Sequence, residues 1–105
     1  MATNMRVLKV EHGKEPEIAV IRNDVASIQK AVGGYFSHMR VSDDLFVLFD
    51  EEADFKGSAY SAIVNGVHFR GTIIFAHVDR KSRDYASITG LELKKLTEGG
   101  LLQCI

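Results

Sequence analysis

Residues 45–49 are Leu45-Phe46-Val47-Leu48-Phe49, and this stretch decides the fold, because the other predicted elements are arranged around it. Every position is apolar, whereas a strand with one face in water alternates apolar and polar residues. Five residues are the length of a strand and too few for a buried helix. The stretch therefore predicts a central strand that is covered on both faces, or on one face with an interface on the other.

A hairpin is predicted upstream of this strand. Residues 5–10 and 18–21 are rich in β-branched and apolar residues, as strands are. Gly13 and Pro16 lie between the two segments and have the backbone preferences of a turn. The second strand is therefore expected to return antiparallel to the first.

A short amphipathic helix is predicted next. Asn23 or Asp24 can cap its first turn by accepting a hydrogen bond from a free backbone N–H. Apolar residues then recur at steps of three and four and share one face: Val25, Ile28 and Val32. Gly33 and Gly34 end the helix, because glycine accepts the left-handed conformation common after a last turn.

Further strands are predicted on both sides of the central one, over residues 35–41 and 72–78. Between them, Asn65 and Gly66 are a strong hairpin signal, because Asn-Gly accepts the two positive φ angles of a type I′ turn. Residues 55–62 carry no clear signal. The strand pattern is thus that of an antiparallel sheet.

Thr89 and Glu92 have the spacing of a capping box, which begins a second helix over residues 90–98 with Leu91 and Leu96 on its apolar face. The order of elements predicts an α+β fold: a mainly antiparallel sheet of about five or six strands with two short helices packed on it. A chain of 105 residues has the length of one domain, so residues 1–105 are predicted to form a single domain. Residues 100–105 form an apolar C-terminal tail.

The composition is that of an ordinary soluble protein, with 46% hydrophobic and 26% charged residues. The net charge of −1 gives no global attraction to nucleic acid or to an anionic membrane. A secretory signal and a membrane-spanning run are both lacking, which predicts a cytoplasmic protein. Cys104 is the only cysteine, which excludes an internal disulfide framework and a Cys-rich zinc site. No cofactor is predicted.

Four carboxylates follow the central strand, at Asp50, Glu51, Glu52 and Asp54. A solvated loop is the simplest interpretation, because charged residues are mostly exposed. The cluster could also bind a hard cation, perform acid–base chemistry or dock a basic partner. It lacks the glycine and the distal Glu of a calcium loop. Among the functional interpretations, docking is favoured at least as much as catalysis.

A basic cluster lies near the end of the chain, at Arg80, Lys81 and Arg83. Asp79 and Asp84 flank it and offset its charge, and no row of aromatic residues accompanies it as in single-strand binders. A solvated loop is therefore the favoured interpretation of this cluster, and nucleic acid is not favoured as a partner.

The four histidines show no spacing typical of metal ligands, so no metal site is predicted. His68 and His77 lie on predicted strands that could be neighbours, which would make a cross-strand pair. Hydrogen-bonded sheet residues are the simpler interpretation.

The apolar tail is a second candidate surface. Most of residues 101–105 are apolar and would be unfavourable in water. They predict either a short edge strand added to the core or a homo-oligomer contact through Leu101, Leu102 and Ile105.

The order of these motifs resembles a family of small proteins, domain of unknown function 3846. The resemblance extends from about Met5 to Glu98 and is carried by residues 5–11, 32–35, 50–52, 70–74 and 89–92. Members occur in phages, plasmids and conjugative elements and have no assigned activity. The resemblance therefore implies the fold and a mobile-element context, and its matched segments add Arg70 to the candidate binding residues.

Together these observations favour a non-enzymatic accessory protein that acts by binding in the host cytoplasm. From the mobile-element context we expect its partner to be a host protein or a small nucleotide, and its effect to be inhibition of a host defence system. Two alternatives stay open. One is a small metal-dependent or acid–base hydrolase that uses Asp50, Glu51 and Glu52. The other is a nucleic-acid-binding regulator that uses the basic cluster.

Overall fold

The computed structural model describes residues 3–105, which form nine strands and three helices. In chain order these elements are β1 (Asn4–Val10), β2 (Glu17–Arg22), α1 (Val25–Val32), β3 (Phe36–Ser42), β4 (Leu45–Asp50), α2 (Ala53–Lys56), β5 (Tyr60–Val64), β6 (Val67–Arg70), β7 (Ile73–Val78), β8 (Tyr85–Ala86), α3 (Gly90–Thr97) and β9 (Leu102–Cys104). No helix within residues 3–105 is long and apolar enough to cross a membrane.

Sheet A has the strand order β2-β1-β7-β4-β3, with β8 paired to β7, and every pairing in it is antiparallel. Strand β4 lies inside this sheet, between β7 and β3. Leu45 and Val47 on one face join a core shared with sheet B, and Leu48 on the other face joins a core under α1. The prediction of a central strand covered on both faces is confirmed.

Sheet B has the strand order β6-β5-β9 and packs against one face of sheet A. The predicted hairpin turn is present, with Asn65 and Gly66 at φ angles of 51° and 82°. The α+β class and the mainly antiparallel pairing are thus confirmed. The strands divide between two sheets because Gly71, with a φ of 74°, redirects the chain between β6 and β7.

Helix α1 lies on the other face of sheet A and buries Ile28 and Val32. Asp24 is its cap, because the Asp24 side chain accepts a 2.7 Å hydrogen bond from the Ser27 backbone N–H. The prediction that Val25 belongs to the buried face was wrong, since this residue is 60% exposed. Val25 is the first residue of a helix that starts beside the edge strand β2, and in the described part of the chain no strand lies beyond β2 to cover it.

Helix α3 begins with the predicted capping box, in which Thr89 and Glu92 bond each other's backbone N–H groups. Leu96 is fully buried, but Leu91, predicted on the apolar face, is 67% exposed. In the first turn Glu92 is buried instead of Leu91, because its Oε2 lies 3.0 Å from Nδ1 of His77 on β7.

The predicted edge strand in the tail is confirmed as β9, which pairs antiparallel with β5. Leu101 and Leu102 pack against the core between the sheets, and Ile105 stays half-exposed. The tail therefore contributes to the fold, and the homo-oligomer contact stays a prediction.

Candidate functional site

The acidic segment that follows β4 folds into a turn and the short helix α2. Gly57, with a φ of 71°, ends this helix, and the Glu51 backbone N–H donates a 3.0 Å hydrogen bond to the Tyr35 carbonyl. Exposed side chains project from this part of the molecule, and we call them the α2 surface: Tyr35, Glu51, Glu52, Asp54 and Phe55.

Asp50 differs from the carboxylates that follow it, because it is buried with only 6% of its surface exposed. Lys56 Nζ donates a 2.8 Å hydrogen bond to Asp50 Oδ2, and the Glu52 backbone N–H donates one of 2.9 Å to Oδ1. Burial alone would raise the pKa of Asp50, but these hydrogen bonds outweigh it and hold the pKa below its usual value. The interpretation of the whole cluster as a solvated loop is therefore wrong for Asp50.

Lys56 connects α2 to the end of α1. Besides its ion pair with Asp50, its Nζ donates a 3.1 Å hydrogen bond to the Gly33 carbonyl. The adjacent Gly34 leaves room for this amine, since a Cβ at position 34 would lie only 2.8 Å from Lys56 Nζ and 3.2 Å from Asp50 Oδ1. The glycine at the helix end thus lets the amine approach Asp50 and the Gly33 carbonyl without displacement.

Arg70, at the end of β6, lies on the other side of α2. Its guanidinium donates to the Ser58 carbonyl and to the Tyr60 hydroxyl, at 3.2 and 3.1 Å, and stacks 4.1 Å from the centre of the Tyr60 ring. Its Nε also lies 3.3 Å from Asp54 Oδ1. The structure therefore brings Arg70, one of the candidate binding residues, together with the acidic segment.

Phe55 is the functional candidate that the sequence analysis missed. Its side chain is 92% exposed on α2, and Tyr35 nearby is 65% exposed. The available signal was a single aromatic residue within the charged segment 50–56. Aromatic residues are enriched at the centres of protein interfaces, and charged residues belong to the polar rim around them.

A cleft of about 230 Å³ lies beside α2, between β4 and β6. Its apolar side is formed by Met39, Phe49 and Phe69. Glu51 and Asp54 line its acidic side, with Arg70 as a cation among them. The cleft adds a concave part to the α2 surface.

The basic cluster lies away from this site. Arg80 Nε bonds Asp44 Oδ1 at 2.7 Å, next to the first residue of β4, whereas Asp50 is the last residue of that strand. Arg83 takes a left-handed conformation in the same loop, with a φ of 62°. The structure therefore does not bring Arg80, Lys81 and Arg83 together with the acidic segment.

The histidines also lie apart. His68 on β6 pairs with Ile63 in sheet B, whereas His77 on β7 pairs with Leu45 in sheet A. The two residues therefore do not form a cross-strand pair, because Gly71 separates the two strands into different sheets, and His77 is instead a sheet residue hydrogen-bonded to Glu92. Among residues 3–105, no three His, Cys, Asp or Glu side chains are grouped so as to hold a metal ion.

Comparison with known proteins gives one finding beyond the geometry. No curated protein and no solved structure matches the chain. The model of the family described as "Domain of unknown function (DUF3846)" matches residues 5–99, nearly the whole chain. The chain therefore belongs to the DUF3846 family, whose description assigns no activity.

Proposed function

We propose that this protein is a non-enzymatic accessory protein of a phage or mobile element that acts in the host cytoplasm by binding a host protein. The partner docks on the α2 surface, and its activity in host defence is thereby blocked. The observation that carries the proposal is the 92% exposure of Phe55 among exposed carboxylates.

The exposed ring supports docking on energetic grounds. Removing a Phe side chain from water is worth about 1.5–3 kcal/mol, and in the free protein Phe55 gains almost none of it. Aromatic residues surrounded by a polar rim are typical of the few positions that dominate interface energetics. A partner with an apolar pocket would recover this free energy.

The surroundings of Phe55 favour a rigid surface. On one side, Lys56 ties α2 to Asp50 and to the end of α1. On the other side, Arg70 ties the segment after α2 through Ser58 and Tyr60. A surface that is already ordered loses less conformational entropy when it binds, which leaves more of the contact energy as affinity.

The charges of the surface favour a basic partner. Glu51 and Glu52 are exposed, and neither has an ion-pair partner within residues 3–105. Asp54 has only the exposed contact with Arg70, which contributes little in water. Carboxylates in this position would speed association with a positively charged surface and restrict the choice of partner.

The test is affinity capture from a lysate of the host cell, with the bound proteins quantified by mass spectrometry. We expect the wild-type chain to enrich one host protein and Phe55→Ala to weaken its binding about thirtyfold, the equivalent of ~2 kcal/mol. Leu91→Ala is the matched control, because Leu91 is similarly exposed but lies on α3. Equal recovery with wild type and Phe55→Ala, or recovery of no protein, would contradict the proposal.

The two alternative functions, a hydrolase and a nucleic-acid-binding regulator, would use different residues. A hydrolase would use Asp50, Glu51 and Glu52, but both oxygens of Asp50 already accept hydrogen bonds. A nucleic-acid regulator would use the basic cluster, where Arg80 already pairs with Asp44. Neither alternative gains a specific supporting contact, so docking is the function that we favour.

A further inference from the structure

A groove on the opposite side of the fold from sheet B lies between α1 and the β1–β2 hairpin. It has a volume of about 550 Å³, which is within the range of small-molecule sites. It exists because α1 has only eight residues, which leaves part of β1 and β2 uncovered beside it. We call it the α1 groove.

The floor of the α1 groove is aliphatic. It is formed by side chains that face α1 from neighbouring strands: Val7 on β1, Ala19 and Ile21 on β2, and Ile74 on β7. Ala19 and Ile21 are only partly buried, because no helix or strand within residues 3–105 covers this part of the edge strand β2. The floor therefore offers apolar surface to a ligand.

The walls of the groove carry cations. Lys9, Arg22 and Lys30 line it together with one carboxylate, Glu11, which leaves a net charge of +2. Hydrogen bonds from Lys9 and from the nearby Lys14 lower the pKa of Glu11 to about 2, so this carboxylate is ionised at neutral pH.

Lys30 is the cation best placed to hold a ligand. Glu11 compensates Lys9 at 2.8 Å, and Asp24 lies 3.4 Å from Arg22. Lys30 has no ion-pair or hydrogen-bond partner within residues 3–105, although its side chain lines the groove. Lys9 and Arg22 lie at opposite ends of the paired strands β1 and β2, so their charges extend the positive field along the groove.

We propose that the α1 groove binds a small phosphate monoester that carries an apolar or aromatic body. The body lies on the aliphatic floor, and the phosphate faces Lys30. A phosphate monoester carries a charge of about −1.5 to −2 at pH 7 and three strong acceptor oxygens, so it can pair with Lys30 and also interact with the field of Lys9 and Arg22, whereas a carboxylate supplies only one negative charge. Nucleoside monophosphates and phosphorylated aliphatic molecules share this chemistry. The site is separate from the α2 surface and does not depend on the function proposed for that surface.

The experiment is a titration of the ¹⁵N-labelled chain, followed by amide chemical shifts, with AMP, hexyl phosphate, inorganic phosphate and adenosine as probes. We expect shifts at Ala19, Ile21, Lys30 and Ala31 with a Kd below about 1 mM for a phosphate that has a body. Inorganic phosphate and adenosine should bind at least about tenfold more weakly, because each lacks one of the two parts. Saturation by AMP alone would identify a nucleotide site, whereas saturation by both monoesters would identify a general one.

Two variants and a control complete the test. Lys30→Glu should weaken binding of the monoester about tenfold or more by reversing the charge, and Ala19→Leu should weaken it by filling the floor. Lys81→Glu is the control, because it makes the same charge change in an exposed loop outside the groove. The proposal is overturned if neither monoester shifts the groove resonances at millimolar concentration, or if Lys30→Glu and Lys81→Glu bind equally well.

Discussion

The α2 surface and the α1 groove differ in shape, in charge and in the residues that support them. The α2 surface is acidic and centred on an aromatic side chain that projects into water, with a small cleft beside it. The α1 groove is concave, cationic and lined by aliphatic side chains. One is suited to a pocket on a partner protein, and the other is itself suited to hold a small anion.

This difference explains how a chain with a net charge of −1 can carry two strongly charged regions. Acidic side chains are concentrated after β4, and three cations line the groove beside α1. A charge total averages over such regions, so it excludes a uniformly basic or acidic protein but says nothing about local sites. The absence of a global attraction to anions therefore does not argue against a local anion site.

The largest expected difference in stability is between variants of Ile28, which is buried under α1 beside the groove, and of Phe55, which is exposed on the α2 surface. Ile28→Ala should lower the free energy of unfolding by about 2–4 kcal/mol, because it leaves a cavity between α1 and sheet A. Phe55→Ala should change it by less than about 0.5 kcal/mol, since the ring is in water. Urea unfolding measures both values. A loss of similar size in the two variants would show that Phe55 is buried in solution and would remove the contrast.

A smaller effect is expected at the lysine that connects the two regions. Lys56→Met should cost about 1–3 kcal/mol, because it leaves the buried carboxylate of Asp50 without its cation. Lys30→Met, the same substitution on α1, should leave stability nearly unchanged, since Lys30 has no partner within residues 3–105. Equal stability of the two variants would contradict the role given to the Asp50–Lys56 pair.

The same pair predicts a pH dependence. The pKa of Asp50 lies below its ordinary value of 3.8 in the folded chain, so the pair stabilises the fold above that pH. As the pH falls below 3.8 and Asp50 takes up a proton, this contribution is lost. Urea midpoints of wild type and Lys56→Met should therefore converge on acidification. A difference that stays constant from neutral pH to pH 3 would contradict the assignment.

The smallest expected effect concerns the tail, which belongs to neither region. If Leu101, Leu102 and Ile105 form a homo-oligomer contact, Ile105→Asp should lower the native mass while leaving the unfolding free energy within about 0.5 kcal/mol. Ile105 is the suitable position because it is half-exposed, whereas deletion of the tail would also remove strand β9. Native mass spectrometry measures the change. A monomer before and after the substitution would refute the contact.

Local signals predicted the parts of the fold that depend on neighbouring residues. The apolar run of β4, the Asn65-Gly66 turn and the Thr89–Glu92 capping box each act over a few residues, and all three are present. The division into two sheets was not predictable, because alternation along a strand does not reveal which sheet the strand joins. The exposure of Val25 and Leu91 likewise depends on what packs above them.

The candidate site was predicted only in part, for a related reason. The acidic residues and Arg70 were recognised by residue type, but the burial of Asp50 results from Lys56 folding back across α2 to the end of α1. The cations of the α1 groove are distributed over β1, β2 and α1, so no short motif contains them. A site assembled from distant segments leaves no spacing that a single sequence can reveal.

The close approach at Gly34 has a consequence for how this family can vary. A methyl group there would lie 2.8 Å from the amine of Lys56 and 3.2 Å from Asp50 Oδ1, so the flexible end of the lysine side chain would have to shift. A larger residue at position 34 is therefore accommodated only as far as the Lys56 amine can move and still pair with Asp50. We expect the residue at position 34 to stay small in those members of the DUF3846 family that keep the pair between positions 50 and 56.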